Sequence, residues 1–145
     1  MKTSNRIPFL LFGLVLLQAT LLGQETKDPL IYKKQGEIMM VVDCDSAVSG
    51  KVVIPKLYQG RRVIGIGKSA FSRCRNLTEV VIPEGVTYIG SSAFYDCRSL
   101  KSLVVPNTVT TIANSAFRRC LGLQSATIGK GVTFMGSSIF DGCSN

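Results

Sequence analysis

The sequence of 145 residues contains no histidine and no tryptophan, and the missing histidine restricts its chemistry. Ser-His-Asp and Cys-His catalytic arrangements need an imidazole base, so neither can form, and histidine metal sites are excluded. Cysteine pairs a few residues apart, as in CxxC, are also missing. No paired acid and base is evident, because the acidic residues do not recur at one position of the 23-residue sequence repeat. These residues are Glu79, Glu84, Asp96 and Asp141. We therefore expect no enzymatic activity, no catalytic residue, no metal and no cofactor.

The charged residues have a basic excess but do not form a run. Lysine and arginine total 17 against 9 acidic residues, for a net charge of +8. Such an excess favours contact with acidic surfaces, polysaccharide or nucleic acid without choosing among them. Because the basic residues are dispersed and tryptophan is absent, we expect no nucleic-acid partner.

The N-terminus has the pattern of a secretory signal peptide. Two basic residues precede an apolar run over residues 7–17, and small residues follow it. The run is shorter than the roughly 20 apolar residues of a membrane-spanning helix. We predict a signal peptide at residues 1–23, cleaved after Gly23 or Ala19, with an uncleaved anchor as the alternative. The expected location is secreted or at the cell surface, with membrane contact only during export.

The rest of the sequence repeats with a fixed period of 23 residues. The period is marked by two residue types, at Phe71, Phe94, Phe117 and Phe140 and at Cys74, Cys97, Cys120 and Cys143. A fixed period in the twenties indicates a solenoid, in which each repeat is one turn stacked on the next. We expect the phenylalanines to stack as an interior spine.

Cysteine at one position of successive turns predicts a column of buried, reduced thiols. Parallel Cβ directions in such a column do not suit the disulfide dihedral near ±90°, so the thiols are expected to be small buried groups. Disulfide pairing is the alternative. Cys44 lies outside this spacing, and its state is left open.

The period divides the chain into segments. Residues 24–36 are polar and predict a linker, and residues 37–62 predict a degenerate repeat that caps the N-terminal end. The repeats proper are 63–85, 86–108, 109–131 and a partial copy, 132–145. The last copy stops before its first strand leucine, which predicts a chain truncated relative to its relatives. Its open edge would favour self-association, and the alternative is a genuine end capped by the half-turn.

Each unit combines three short elements. Leucine and alternating apolar residues over 77–82 predict a strand with Val80 and Ile82 facing inward. Residues 86–90 predict a second short strand, and residues 92–97 predict a single helical or 3-10 turn. The fold class is therefore a β-rich solenoid.

Two surfaces of this solenoid are candidates for binding. The outer, concave positions of the strands are Glu79, Val81, Ser102, Val104, Ser125 and Thr127. A basic stripe on the convex side comprises Arg73, Arg75, Arg98, Arg118 and Arg119. The first surface fits a protein ligand and the second fits a polyanion. The alternatives are a generic β-surface and a solvated face that maintains solubility.

The unit VTxIGxSAFxxCxxLxxVxIPxx resembles the BspA-like, or Treponema pallidum-type, bacterial leucine-rich repeat. The stretch from Ser49 to Val63 resembles the entry of such domains, so the likeness covers about residues 37–145. The chain departs from the pattern with Ile139 in place of alanine and Gly129 in place of proline.

The resemblance implies a leucine-rich repeat protein that is secreted or attached to the cell surface. It further implies adhesin-like binding of a protein or glycan partner, with no fixed catalytic residues. The alternative is a structural or spacer module of an envelope protein with no ligand of its own.

Overall fold

The computed structural model describes residues 28–144, and eleven strands lie in this range. The predicted signal peptide, residues 1–23, lies outside the described residues. The strands are β1 (Leu30–Gln35), β2 (Ile38–Cys44), β3 (Ser49–Val53), β4 (Leu57–Tyr58), β5 (Arg61–Ile66), β6 (Asn76–Val81), β7 (Tyr88–Ile89), β8 (Ser102–Val105), β9 (Thr111–Ile112), β10 (Ser125–Ile128) and β11 (Phe134–Met135). Sheet A has the order β1-β2-β5-β7-β9-β11 with β4 paired to β5, and sheet B has the order β10-β8-β6-β3.

The predicted strand of each repeat belongs to sheet B. In β6, Val80 is buried between the half-buried Glu79 and Val81, because successive side chains of a strand point to opposite faces. The strands pair in parallel with the offset of the repeat, so that Ser102 lies opposite Ser125. Each strand therefore lies on its own copy in the neighbouring repeat, and the predicted β-rich solenoid is confirmed.

The second short strand of each repeat belongs to sheet A. Ile66, Ile89 and Ile112 pair in register and are fully buried, so they form an aliphatic column in the core. The preceding residue in two of these strands, Tyr88 and Thr111, lies on the opposite face. A strand of two residues has little stability alone and is held by its neighbours in the stack.

The third part of each repeat is a series of turns. The prediction of a single helical or 3-10 turn at residues 92–97 is wrong, since residues 28–144 contain no helix. Alternate amides donate within the turn: Ala93 to Gly90, Tyr95 to Ser92, and Cys97 to Phe94. The amides between them donate to the next repeat: Ser92 to Asn114, Phe94 to Ala116, and Asp96 to Arg118. Ser92 and Asp96 have left-handed φ values of 56° and 61°, which a right-handed helix does not contain. The neighbouring repeat thus binds half of the amides that a helix would bond internally.

The N-terminal end is covered by an antiparallel hairpin of β1 and β2, and β2 continues sheet A by pairing in parallel with β5. Part of the segment interpreted as a linker, residues 30–35, is therefore a strand of the fold. Its order follows from two apolar anchors. Leu30 is buried, and the ring of Tyr32 stacks on that of Tyr58 with centroids 3.8 Å apart.

The four repeated phenylalanine rings stack along the interior. Centroid distances are 4.8 Å for Phe71–Phe94, 5.3 Å for Phe94–Phe117 and 5.6 Å for Phe117–Phe140, with interplanar angles of 11–12°. The first three rings are fully buried, whereas Phe140 is half-buried. Burying one such ring contributes roughly 1.5–3 kcal/mol, so the column is a major part of the core.

Candidate functional site

The six predicted face residues all lie on the outward side of sheet B, away from the core. Glu79 and Val81 are half-buried, and the other four are exposed: Ser102, Val104, Ser125 and Thr127. The same face extends onto β3, which sequence reasoning did not include. There Val53 is 57% exposed, close to the 61% of Val104, and Lys51 Nζ lies 2.9 Å from Glu79 Oε1. The face is therefore one surface across four strands.

A cleft divides this face between β6 and β8. These strands share one aligned pair, Glu79 with Ser102, whereas β8 and β10 share four. Between β8 and β10 the Gly129 amide donates to Val105 O at 2.9 Å. The equivalent residue one repeat earlier is Pro106, which has no N–H to donate. A cavity of about 230 Å³ lies between the two strands, lined by Glu79, Val80, Val81, Ile82, Ser102 and Val104.

The five arginines of the predicted basic stripe are exposed, but three of them are engaged by carboxylates. Arg75 and Arg98 both contact Asp96 at 2.8 Å, and Arg118 contacts Asp141 at 2.8 Å. Arg119 instead contacts the Tyr95 hydroxyl at 3.4 Å, and Arg73 forms no ion pair within the described residues. These contacts reduce the positive charge that the stripe presents to a polyanion.

Asp96 joins two repeats through these contacts. It is 3% exposed, and burial alone would raise the pKa of its carboxyl group. The hydrogen bond from Arg98, followed by that from Arg75, outweighs burial and holds the pKa of Asp96 below its usual range. Asp96 is therefore a charged link between turns, a role that its position in the sequence did not suggest.

A further surface, on sheet A, was missed because its first strand was interpreted as linker. Lys33, Lys34 and Gln35 of β1, with Met40 and Val42 of β2 and Gly67, line a cavity of about 430 Å³. Its lining is more apolar than polar and includes two lysines that form no ion pair within the described residues. The alternation of Leu30 and Tyr32 was the sequence signal for this strand.

The cysteine column lies within the turns, and its thiols bond to the main chain. Cys97 Sγ donates to Phe71 O at 3.0 Å, and Cys120 and Cys143 make the equivalent bonds, at 3.1 and 3.2 Å, to the phenylalanine of the preceding repeat. Burial raises the pKa of Cys97 and of Cys120, the latter to about 12. Thiols so disposed are poor nucleophiles and serve as packing groups.

Residues 28–144 hold no cluster of three or more His, Cys, Asp or Glu side chains placed to bind a metal ion. The same residues include no helix with the length and apolar character needed to cross a membrane.

Short parallel strands stacked at 23-residue intervals over buried leucine, isoleucine and valine define a leucine-rich repeat solenoid. The profile of the BspA type leucine-rich repeat region matches residues 52–145 in six copies, and the chain belongs to this family. Such repeats form protein-interaction modules that are typically not enzymes.

The crystal structure of a T. pallidum leucine-rich repeat protein (TpLRR) aligns with 83% of this chain and 90% of that chain, at 17% identity and a TM-score of 0.37. No curated protein matches the sequence.

Proposed function

We propose that the chain is an exported repeat module that binds a protein at a cell surface or in its matrix through the outward face of sheet B. The observation that carries the proposal is the exposure of apolar side chains on this face, with Val53 57% and Val104 61% exposed. Exposed valines beside the small side chains of serine and threonine give a partner apolar contact area with little steric obstruction.

The cleft between β6 and β8 supports the proposal because it provides a concave centre. Binding energy in protein interfaces is concentrated where a partner side chain fills a desolvated pocket. Val81 and Val104 line the cleft, and Glu79, which also lines it, pairs with Lys51 of β3. We infer that an apolar side chain of the partner enters here while Glu79 fixes its orientation.

Export is the second part of the proposal. It rests on the sequence of residues 1–23 and on the surface or secreted location that is common in this family. An adhesin-like role follows if the partner belongs to another cell or to its matrix. The family and the exposed face of sheet B together favour adhesin-like binding of this kind.

A matched pair of serine variants tests the proposed face. Ser102→Arg places a long cation beside the cleft, whereas Ser137→Arg makes the same change at an exposed turn outside sheet B. Binding of the purified protein to epithelial cells and to immobilised extracellular-matrix proteins is measured for both. We expect S102R to weaken binding at least tenfold and S137R to leave it unchanged.

The other outcomes of this experiment are also informative. Equal binding by both variants, with circular dichroism spectra like that of the unsubstituted chain, would place the site elsewhere. Absence of binding by the unsubstituted chain to every surface would instead favour a spacer module with no ligand of its own.

A further inference from the structure

The first step of the cysteine column differs from the later ones. Cys97, Cys120 and Cys143 each donate to the phenylalanine carbonyl one repeat earlier. Cys74 has no phenylalanine one repeat earlier, and its Sγ instead donates to Asp45 O at 3.9 Å. Cys44 Sγ lies 3.7 Å from the same oxygen. Cys44, which is outside the 23-residue spacing, therefore shares its acceptor with Cys74.

The shared acceptor brings the Cys44 and Cys74 thiols to the same point of the structure. A hydrogen bond between the two side chains raises the pKa of Cys44 and lowers the pKa of Cys74. Cys97, Cys120 and Cys143 each bond to a different main-chain oxygen. Of the successive cysteine pairs in residues 28–144, Cys44 and Cys74 are thus the pair whose thiols converge on one oxygen atom.

The two cysteines belong to different kinds of element. Cys44 is the last residue of β2, and its amide is bonded to Asp43 Oδ1 at 2.9 Å. Cys74 lies in the turns that precede β6. Identical turns force their Cβ directions to be parallel, which opposes a disulfide. A strand end and a turn are not related by the repeat, so this objection does not hold for Cys44 and Cys74.

We propose that Cys44 and Cys74 form a disulfide that fastens the N-terminal hairpin to the first regular repeat. Cys74 as thiolate attacks the disulfide of a thiol–disulfide oxidoreductase or of oxidised glutathione, forms a mixed disulfide and releases one thiolate. Cys44, after losing its proton, attacks the Cys74 sulfur and releases the second thiolate. Two protein thiols and one reagent disulfide thus become one protein disulfide and two reagent thiols, with two electrons passed to the reagent.

The bond forms while the chain folds. Both thiols are buried in the folded protein, with Cys44 5% and Cys74 0% exposed, so an oxidant reaches them before the hairpin closes over the first repeat. Occurrence of the bond in the cell rests on the proposed export, because exporting compartments are oxidising. The chemistry itself depends on neither export nor a binding partner.

Peptide mapping of the full chain tests the proposal. The chain is refolded in a buffer of reduced and oxidised glutathione, free thiols are alkylated, and peptides are identified by mass spectrometry without reduction. We expect a cross-linked Cys44–Cys74 peptide, lighter than its two parts by two hydrogens, with alkyl groups on Cys97, Cys120 and Cys143. The urea concentration at the midpoint of unfolding of the oxidised protein should fall when a reductant is added.

Two variants control for folding and for specificity. C97S removes a buried thiol of the column and should keep the Cys44–Cys74 peptide, whereas C44S should leave all four remaining cysteines alkylated. Alkylation of all five thiols in the unsubstituted chain, or a cross-link between any other pair, would overturn the proposal. Peptide mapping needs no ligand. The experiment therefore tests the disulfide independently of the proposed binding function.

Discussion

Asp96 is buried although it carries a charge, and two arginines from different turns hold it. The side chains of Arg75 and Arg98 are 53% and 44% exposed, so solvent screens part of each interaction. The carboxylate itself is 4% exposed and depends on these contacts to stay ionised. The link between repeats should therefore weaken when the carboxylate gains a proton.

Replacing Asp96 by asparagine should destabilise the protein by about 1–2 kcal/mol near neutral pH, since two charge-assisted hydrogen bonds are weakened. The folded-state pKa of Asp96 is lowered, so its contribution is present above the unfolded value of about 3.9 and is lost as pH falls through the folded value. Urea unfolding at neutral and acidic pH measures this. The gap between D96N and the unsubstituted chain should close in acid.

Asp141 provides the control for that measurement. Its side chain is 53% exposed and contacts one arginine, so D141N should have little effect at any pH. A gap for D96N that is the same at both pH values would show that lost packing, not charge, explains the effect.

At the scale of secondary-structure elements, Gly129 sets how closely β10 approaches β8. A Cβ atom built on Gly129 would overlap Pro106 O, a main-chain atom that cannot turn aside. The departure from proline noted in the sequence thus has a structural reason. Glycine gives the strand pair both its close approach and an N–H donor to Val105 O.

Gly129→Ala should cost about 1–3 kcal/mol, because β10 must move away from β8 to relieve the overlap. The matched change is Gly65→Ala, where the nearest atom is Met40 Cε at 2.8 Å, the end of a flexible side chain. We expect G65A to cost less than G129A in chemical denaturation. The reverse order would mean that the β8–β10 spacing is not set by this contact.

The strands of the repeats could be predicted from the sequence, whereas their turns could not. The alternation around Val80 identifies a strand and its buried face, and the period gives the register between repeats. The apolar residues Ala93, Phe94 and Cys97 are spaced as well for a helical turn as for the observed turns. The helix is excluded by the amides of Ser92, Phe94 and Asp96. These amides donate to carbonyl groups 22 residues further along the chain, which the local sequence does not indicate.

Of the candidate binding surfaces, the sheet face could be predicted from the sequence, whereas the arginine contacts and the sheet A cavity could not. All six sheet positions lie on one surface because strand alternation determines it. The predicted arginines are exposed, but the pairing of three of them with Asp96 and Asp141 depends on the folded geometry of the turns. The sheet A cavity was missed because β1 precedes the periodic region and has no copy elsewhere in the sequence.

For the whole molecule, the phenylalanine spine should make stability depend on position in the stack. Phe94→Ala removes a fully buried ring with a ring on each side and should cost about 3–5 kcal/mol. Phe140 is half-buried with one stacked neighbour, so F140A should cost clearly less. Urea denaturation of both variants gives the comparison. Unchanged stability of F94A would contradict a stacked spine.

The alternating amides of the turns also determine how the molecule responds to tension. The covalent chain runs around each turn, whereas bonds such as that from Phe94 to Ala116 O run along the stack. A force that pulls the two ends of the stack apart therefore acts on hydrogen bonds and ring contacts instead of the backbone. Detaching one 23-residue turn would release up to about 75–80 Å of extended chain. A solenoid built in this way would lengthen in steps under shear, one turn at a time, before any covalent bond is loaded.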